Sequence, residues 1–132
     1  MDPISVGELI ADSRHHGKEV CLVGYVRRAP GEGSFRPSRE LFDGPAGSGK
    51  ALMLDGNAEV LEPIARWALD SRTSWSVGRL QGLKVVLRGS LGPPPACNEL
   101  KDSFWPCPQK PLPQGFAVAQ VTLVAQLLYG DR

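Results

Sequence analysis

Two segments of the chain share one pattern of hydrophobic and polar positions. Residues 17–26 read Gly-Lys-Glu-Val-Cys-Leu-Val-Gly-Tyr-Val, and residues 82–91 read Gly-Leu-Lys-Val-Val-Leu-Arg-Gly-Ser-Leu. In both, valine, leucine and a final apolar residue alternate with other positions, which is the pattern of a half-buried β-strand. A glycine inside each segment, Gly24 and Gly89, indicates a bend or a bulge, as at the corners of small barrels. We therefore predict that both segments are strands of one sheet.

Shorter patterns predict the other elements of the first half. Ser5 followed three residues later by Glu8 is a capping box, which predicts a short N-terminal helix. A strand over residues 18–27 follows it. Two apolar runs, at 41–43 and 51–55, are joined by a glycine-rich connection, which is typical of a hairpin. The first half therefore contains a helix and three strands.

The second half is predicted to contain a helix and two strands. Pro63 suits the first position of a helix whose apolar face includes Ile64 and Trp67. The turn at 55–57 fits an entry into either this helix or a further short strand. The last apolar run, 116–128, alternates loosely and gives the fifth strand. The predicted core consists of Val20, Leu22, Val26, Leu52, Leu54, Ile64, Val85, Leu87, Val121 and Leu123.

Three strands, a helix and two strands, with glycine-bent strands first and fourth, is the element order of the oligonucleotide/oligosaccharide-binding (OB) barrel. Residues 16–28 read His-Gly-Lys-Glu-Val-Cys-Leu-Val-Gly-Tyr-Val-Arg-Arg. This segment resembles the opening strand of the anticodon-binding barrel in aspartyl-type tRNA synthetases, which reads Gly-Lys-x-Val-x-Leu-x-Gly-Trp-Val before basic residues; Tyr25 replaces the tryptophan. The resemblance concerns the fold. We predict one mainly β domain, residues 1–132: a five-stranded OB-type Greek-key barrel with an N-terminal helix and one helix between strands 3 and 4.

The composition narrows the function classes. With 132 residues and 42% hydrophobic residues, the chain is long enough to bury a core without disulfides or metal. Its formal net charge of +1 provides no overall attraction to nucleic acid or to a membrane, so such binding needs a local patch. No stretch reaches the ~18 apolar residues of a membrane helix. Without a signal pattern at the N-terminus, we expect an intracellular protein, in cytoplasm or nucleus, unless a leader has been removed.

One motif suggests a phosphate-binding loop. Residues 44–50 read Gly-Pro-Ala-Gly-Ser-Gly-Lys, which has the spacing of a P-loop as far as its lysine. The next residue, however, is Ala51 instead of the serine or threonine that holds magnesium. The run downstream also suits a strand better than a helix. We therefore interpret the motif as a flexible hairpin loop.

No other motif assigns catalytic chemistry. Cys97 and Cys107 bracket part of a proline-rich loop and could close it in an oxidising compartment, but a reducing compartment opposes this bond. There is no Cys-x-x-Cys pair, and the only histidines, His15 and His16, are interpreted as part of a turn. No Gly-x-Ser-x-Gly elbow marks a nucleophilic serine. We expect no catalytic residue, no cofactor and no metal.

Two loops combine basic and aromatic residues at the positions where OB barrels bind ligands. They lie within 27–39 and 97–110, and the candidate nucleic-acid-binding residues are Arg27, Arg28, Phe35, Arg36, Arg39, Lys101, Phe104, Trp105 and Lys110. Cationic side chains neutralise phosphates, and exposed rings let unpaired bases stack. The sequence thus favours a non-catalytic module that binds single-stranded DNA or RNA. The alternative is a protein–protein interaction subunit without a nucleic-acid ligand, anchored through residues 104–106, Phe-Trp-Pro.

Overall fold

The computed structural model describes residues 2–28, 37–45, 48–70, 79–96 and 112–130. Within these ranges the chain contains six strands and two α-helices, and a 3₁₀ turn, Ser13–His15, precedes the second strand. In chain order the elements are β1 (Ile4–Ser5), α1 (Val6–Ala11), β2 (Val20–Arg28), β3 (Pro37–Gly44), β4 (Ser48–Asp55), α2 (Ala58–Asp70), β5 (Arg79–Gly92) and β6 (Gly115–Gly130). The prediction of a mainly β chain with an N-terminal helix and one internal helix is confirmed.

All six strands belong to one sheet, and five of them form a closed ring. The ring runs β2–β3–β4–β6–β5 and returns to β2. Every neighbouring pair in the ring is antiparallel except β4 and β6, which are parallel. The two-residue β1 pairs in parallel with β2 at Leu22 and Val23, just before β3 begins its own pairing with β2 at Tyr25. Closing a sheet in this way satisfies strand edges that would otherwise be exposed.

The two similar segments are both strands of this sheet, as predicted, and they pair with each other. β2 and β5 form a continuous antiparallel ladder from Val20 opposite Gly89 to Arg28 opposite Gln81. The first three residues of the earlier segment precede β2, and Gly17 occupies a turn with φ of 76°. That left-handed conformation is readily accessible only to glycine.

The two glycines inside these strands have different roles. The register between β5 and β6 shifts between Arg88 and Gly89, so the predicted bulge is confirmed there. At Gly24 the register of β2 is continuous and shifts only farther along, after Val26, so this glycine does not mark a bulge. A side chain at Gly24 would instead place its Cβ 2.7 Å from the Leu41 Cγ atom. Gly24 is therefore required by close packing inside the ring.

The interior of the ring is filled by apolar side chains that alternate along the strands. Both helices contribute to the same core, through Val6 and Leu9 of α1 and through Leu61, Ile64 and Trp67 of α2. Burial is confirmed for the predicted core residues Val20, Leu22, Val26, Leu52, Leu54, Ile64, Val85 and Leu87.

Two predicted core residues are less buried than expected, although Val121 still packs against the core. Val121 is only partly buried, and Leu123 keeps 42% of its surface exposed. The reason is that β4 pairs with β6 only from Gly115 to Ala117, so within the described residues no second strand flanks β6 at these positions. The prediction was wrong for Leu123 because alternation identifies the face of a strand but not where the adjacent strand ends.

The start of α2 also differs from the prediction. The helix begins at Ala58, and Pro63 lies inside it instead of at its first position. The side-chain Oδ1 of Asn57 accepts a hydrogen bond from the Val60 amide at 2.9 Å, which is the geometry of a helix N-cap. The turn at 55–57 therefore leads into the helix. At α1 the predicted cap is present, because Ser5 Oγ accepts a hydrogen bond from the Glu8 amide at 3.1 Å.

Candidate nucleic-acid interface

Three of the nine predicted site residues lie in the described part of the chain. The side chains of Arg27 and Arg39 are described, and Arg28 is described as a paired residue of β2. The remaining six, Phe35, Arg36, Lys101, Phe104, Trp105 and Lys110, lie outside the described residues. The same is true of Cys97 and Cys107.

Arg27 lies on the outer surface of the ring and contacts an aromatic ring. Its neighbour Val26 is fully buried, so alternation directs Arg27 outward. The Arg27 guanidinium carbon is 5.2 Å from the centroid of the Phe42 ring, within the range of a cation–π interaction. This contact orients the guanidinium while leaving the side chain partly exposed. Arg27 is therefore a cation held in place at the surface.

Arg39 occupies a different environment. Only 7% of its surface is exposed, and its Nε donates a hydrogen bond to the Leu54 carbonyl oxygen at 3.1 Å. This bond connects β3 to β4. A guanidinium buried in this way does not reach a phosphate in solvent, so the predicted role of Arg39 in phosphate contact does not fit its position. Its observed interaction is structural.

The strand pairing brings further residues to Arg27. Tyr25 lies directly opposite Phe42 on β3 and directly opposite Lys84 on β5. These three residues, which we call the outer row, occupy the face opposite the buried Val26, Leu41 and Leu83. Tyr25 and Lys84 are partly buried, whereas Phe42 is 7% exposed. The outer row and Arg27 thus combine two aromatic rings with two cations.

Sequence reasoning missed Tyr25, Phe42 and Lys84 as site residues. The alternation of β2 carries the signal for Tyr25, because it lies between Gly24 and Val26 on the opposite face. No local pattern places Phe42 and Lys84 beside it, since that depends on the register between strands. Glu40 lies on the same face of β3 as Phe42, two residues away, so the surface also includes an acidic group.

A cleft lies near the N-terminus. Its volume is about 480 Å³, and its lining includes Arg14, Lys18, His15 and Cys21, together with the acidic Asp2 and Glu19. Arg14 forms an ion pair of 2.7 Å with Asp12, and this hydrogen-bonded partner holds the pKa of the Asp12 carboxyl well below its usual range. The charges of the cleft are mixed, so they select no class of ligand.

The P-loop spacing belongs to a hairpin, as the sequence indicated. β3 and β4 are antiparallel, and Gly44 pairs with Ser48 across their connection. Gly49, with a φ of 82°, lies within β4, so a strand occupies the place where a P-loop requires a helix. Within the described ranges no group of three or more His, Cys, Asp or Glu side chains is arranged to hold a metal ion.

Comparisons with known proteins assign no family to this chain. No family model matches the chain, and no curated protein or solved structure matches it. In the part of the chain that the structure describes, neither helix has the length and apolar character needed to cross a membrane.

Proposed function

We propose that this chain is a non-catalytic module of the OB type that binds single-stranded nucleic acid. The strand order supports the OB assignment. β2, β3 and β4 are consecutive antiparallel strands, and β5 returns after α2 to lie beside β2, which is the spatial order of a Greek key. β6 then closes the ring between β4 and β5. OB barrels bind oligonucleotides across the second and third strands of the ring, which are β3 and β4 in this chain; of the outer row, Phe42 lies on β3, whereas Tyr25 and Lys84 lie on the adjoining β2 and β5.

One observation carries the functional proposal: Arg27 lies over Phe42 while Tyr25 lies beside that ring on the same outer face. A single strand needs a cation for its phosphates and an aromatic surface for its unpaired bases. Here the Phe42 ring positions the Arg27 guanidinium, and Tyr25 supplies the more accessible ring. The predicted site residues Phe35 and Arg36 lie between β2 and β3 in sequence, outside the described residues, and remain part of the proposal.

Binding at this surface is not expected to depend on the base sequence of the strand. Stacking of a base on Tyr25 contributes about 1–3 kcal/mol, because every base has a π face. Arg27 and Lys84, on either side of Tyr25, neutralise phosphates and release condensed counterions. With a net charge of only +1, the whole protein adds little attraction, so binding depends on this local surface.

A fluorescence titration tests the proposal. Labelled single-stranded DNA and RNA of the same sequence are titrated with the full chain at two salt concentrations, with the matching duplex as control. We expect saturable binding to the single strands at low salt. Affinity should fall as salt rises, and a plot of log affinity against log salt concentration should have a slope of about −0.7 per neutralised phosphate. Absence of single-strand binding at low salt, or equal binding to the duplex, rejects the proposal.

A second candidate function is a protein–protein interaction subunit. The observation that favours it is the exposure of Leu123 and Val124, which keep 42% and 52% of their surfaces accessible on β6. Apolar side chains that share an exposed segment mark interaction surfaces. This candidate predicts no strand binding at any salt concentration, so the titration separates the two functions.

A further inference from the structure

The outward-facing side chains of β3 and β4 are covered. Phe42 and Met53 point away from the interior, because they alternate with fully buried residues that face it, Leu41 on β3 and Leu52 and Leu54 on β4. Nevertheless, only 7% of the Phe42 surface and 4% of the Met53 surface are exposed. An unpaired base needs an accessible surface on which to stack. These two positions therefore offer a strand little surface, although OB barrels usually bind ligands across these two strands.

The outer face of β2, β5 and β6 is accessible. Val85 and Leu87 of β5 are fully buried, so Lys84, Val86 and Arg88 point outward. The strand register places two cross-strand rows on this face: Val23, Val86 and Thr122 in one, and Cys21, Arg88 and Gln120 in the next. We call these six residues the β5 face; its Arg88, Gln120 and Thr122 are exposed, and the others are partly buried. The β5 face continues the outer row toward the start of β2.

Arg88 adds a cation at the far end of the β5 face. It follows Lys84 by four residues on the same side of β5, a separation of about 13 Å at the rise of a β-strand. Arg27 lies opposite Gly82, so the ladder separates it from Arg88 by six positions, or about 20 Å. A phosphate bound at Arg88 is therefore a different phosphate from the one bound at Arg27.

The ion pair that Arg88 forms within the chain is a weak competitor for a phosphate. The Arg88 Nε is 3.4 Å from the Glu19 Oε1, and the two side chains keep 51% and 57% of their surfaces exposed. An ion pair this exposed to solvent contributes little free energy. A guanidinium also forms two parallel hydrogen bonds with a phosphate, which adds strength and geometric specificity. A bound strand can therefore replace the Glu19 carboxylate with a phosphate at Arg88.

We propose that a bound single strand runs along the β5 face, from Arg27 and Tyr25 to Arg88, instead of across β3 and β4. Arg88 then neutralises a further phosphate after it releases Glu19, and the two valines of the β5 face contact the bases or sugars between the two arginines. Glu19 limits the affinity, because its carboxylate must leave Arg88 before a phosphate binds there. This inference rests on the proposed function and names the part of the ring that holds the strand.

Substitutions in two matched ion pairs test this path in the single-strand titration. Arg66 and Glu62 on α2 also form an exposed arginine–glutamate pair, so their variants are the controls for Arg88 and Glu19. We expect Arg88→Ala to weaken binding at low salt and to make the log–log salt slope less steep by about 0.7, whereas Arg88→Lys keeps the slope. Glu19→Gln should tighten binding. Arg66→Ala and Glu62→Gln should leave the affinity and the slope at their wild-type values.

Amide chemical shifts of the wild type supply a test that needs no variant. Adding single-stranded DNA should shift the amide signals of 84–88 and 120–122, while those of 59–66 on α2 stay unchanged. Shifts at 50–53 on β4 without shifts at 84–88 overturn this path but leave single-strand binding standing. Equal effects of Arg88→Ala and Arg66→Ala have the same consequence. A wild type that binds no single strand at low salt rejects this inference together with the proposed function.

Discussion

Leu22 lies directly opposite Leu87 in the antiparallel pair of β2 and β5, and both side chains are fully buried. This pair is the midpoint of the two similar segments of the sequence. Two positions away on either side, a glycine of one segment faces a valine of the other, in the pairs Val20–Gly89 and Gly24–Val85. The ladder therefore has a local pseudo-two-fold axis, in which each missing side chain lies opposite a β-branched one.

This arrangement predicts that alanine at the two glycines lowers the free energy of unfolding by different amounts. At Gly24 the new Cβ would lie 2.7–2.9 Å from three atoms of the buried Leu41 side chain, so Gly24→Ala should lower the free energy of unfolding by about 1–3 kcal/mol. At Gly89 the new Cβ would overlap with the backbone carbonyl of Ala117, which cannot rotate away. Gly89→Ala should therefore be the more damaging change in urea denaturation.

Gly92 is the matched control for this comparison. It lies on the same strand as Gly89, and a Cβ there would meet no atom within 4 Å. Gly92→Ala should therefore leave the urea midpoint almost unchanged. Equal destabilisation at positions 89 and 92 would show that loss of glycine, and not close packing, controls stability.

The proposed interface predicts that Arg27 and Tyr25 affect binding in different ways. Arg27→Ala should reduce the steepness of the salt dependence by about 0.7, because one phosphate contact and its counterion are lost. Tyr25→Ala should weaken binding by about 1–3 kcal/mol at every salt concentration, because stacking releases no counterions. Both are measured by the single-strand titration.

Arg14→Ala serves as the control, because its side chain is 85% exposed and lies at the N-terminal cleft. It should change neither the affinity nor the salt slope. If Arg14→Ala and Arg27→Ala have the same effect, the protein's general charge accounts for binding and the outer row does not.

Arg39 is predicted to affect stability more than binding. Arg39→Ala removes the donor to the Leu54 carbonyl and a largely buried side chain, so the free energy of unfolding should fall by about 1–3 kcal/mol. Arg66→Ala is the matched control, because Arg66 pairs with Glu62 on the exposed side of α2. This substitution should lower the free energy of unfolding by about 0.5 kcal/mol or less. If the folded Arg39→Ala protein shows a less steep salt dependence of single-strand binding, Arg39 contacts a phosphate and belongs to the binding surface.

Asp43 connects the N-terminal helix to the β3–β4 hairpin. Its Oδ1 accepts a hydrogen bond from the Gly7 amide at 3.1 Å, in the first turn of α1. Asp43→Ala removes this acceptor and should lower the free energy of unfolding by about 1 kcal/mol, as loss of a helix cap does. Asp43→Asn keeps a neutral acceptor and should cost less. Equal losses for the two variants in thermal unfolding would show that the hydrogen bond contributes little.

The elements of this fold could be predicted from local patterns, because each pattern acts over a few residues. Ser5 predicted the start of α1, and the alternation around Leu22 and Leu87 predicted two strands of one sheet. The start of α2 was misplaced because Pro63 is also a signal of a helix's first turn, whereas the observed N-cap is Asn57.

The candidate site was harder to predict because it depends on register. Alternation places Tyr25 on the outer face, but only the pairing of β2 with β3 and β5 brings Phe42 and Lys84 beside it. Arg39 illustrates the same limit, since a loop arginine and a buried strand arginine look alike in sequence. Exposure of Leu123 follows from where β4 ends, which no pattern within β6 encodes.

The pairing of β2 with β5 also constrains the order in which the chain acquires its structure. β3, β4 and α2 all lie between these two partners in sequence, so the ladder is a non-local contact that closes a long loop. During synthesis, the edge of β2 that pairs with β5 has no partner until β5 has emerged. The first half of the chain therefore cannot close the ring by itself. The incomplete sheet is the form of the chain that chaperones would bind during synthesis.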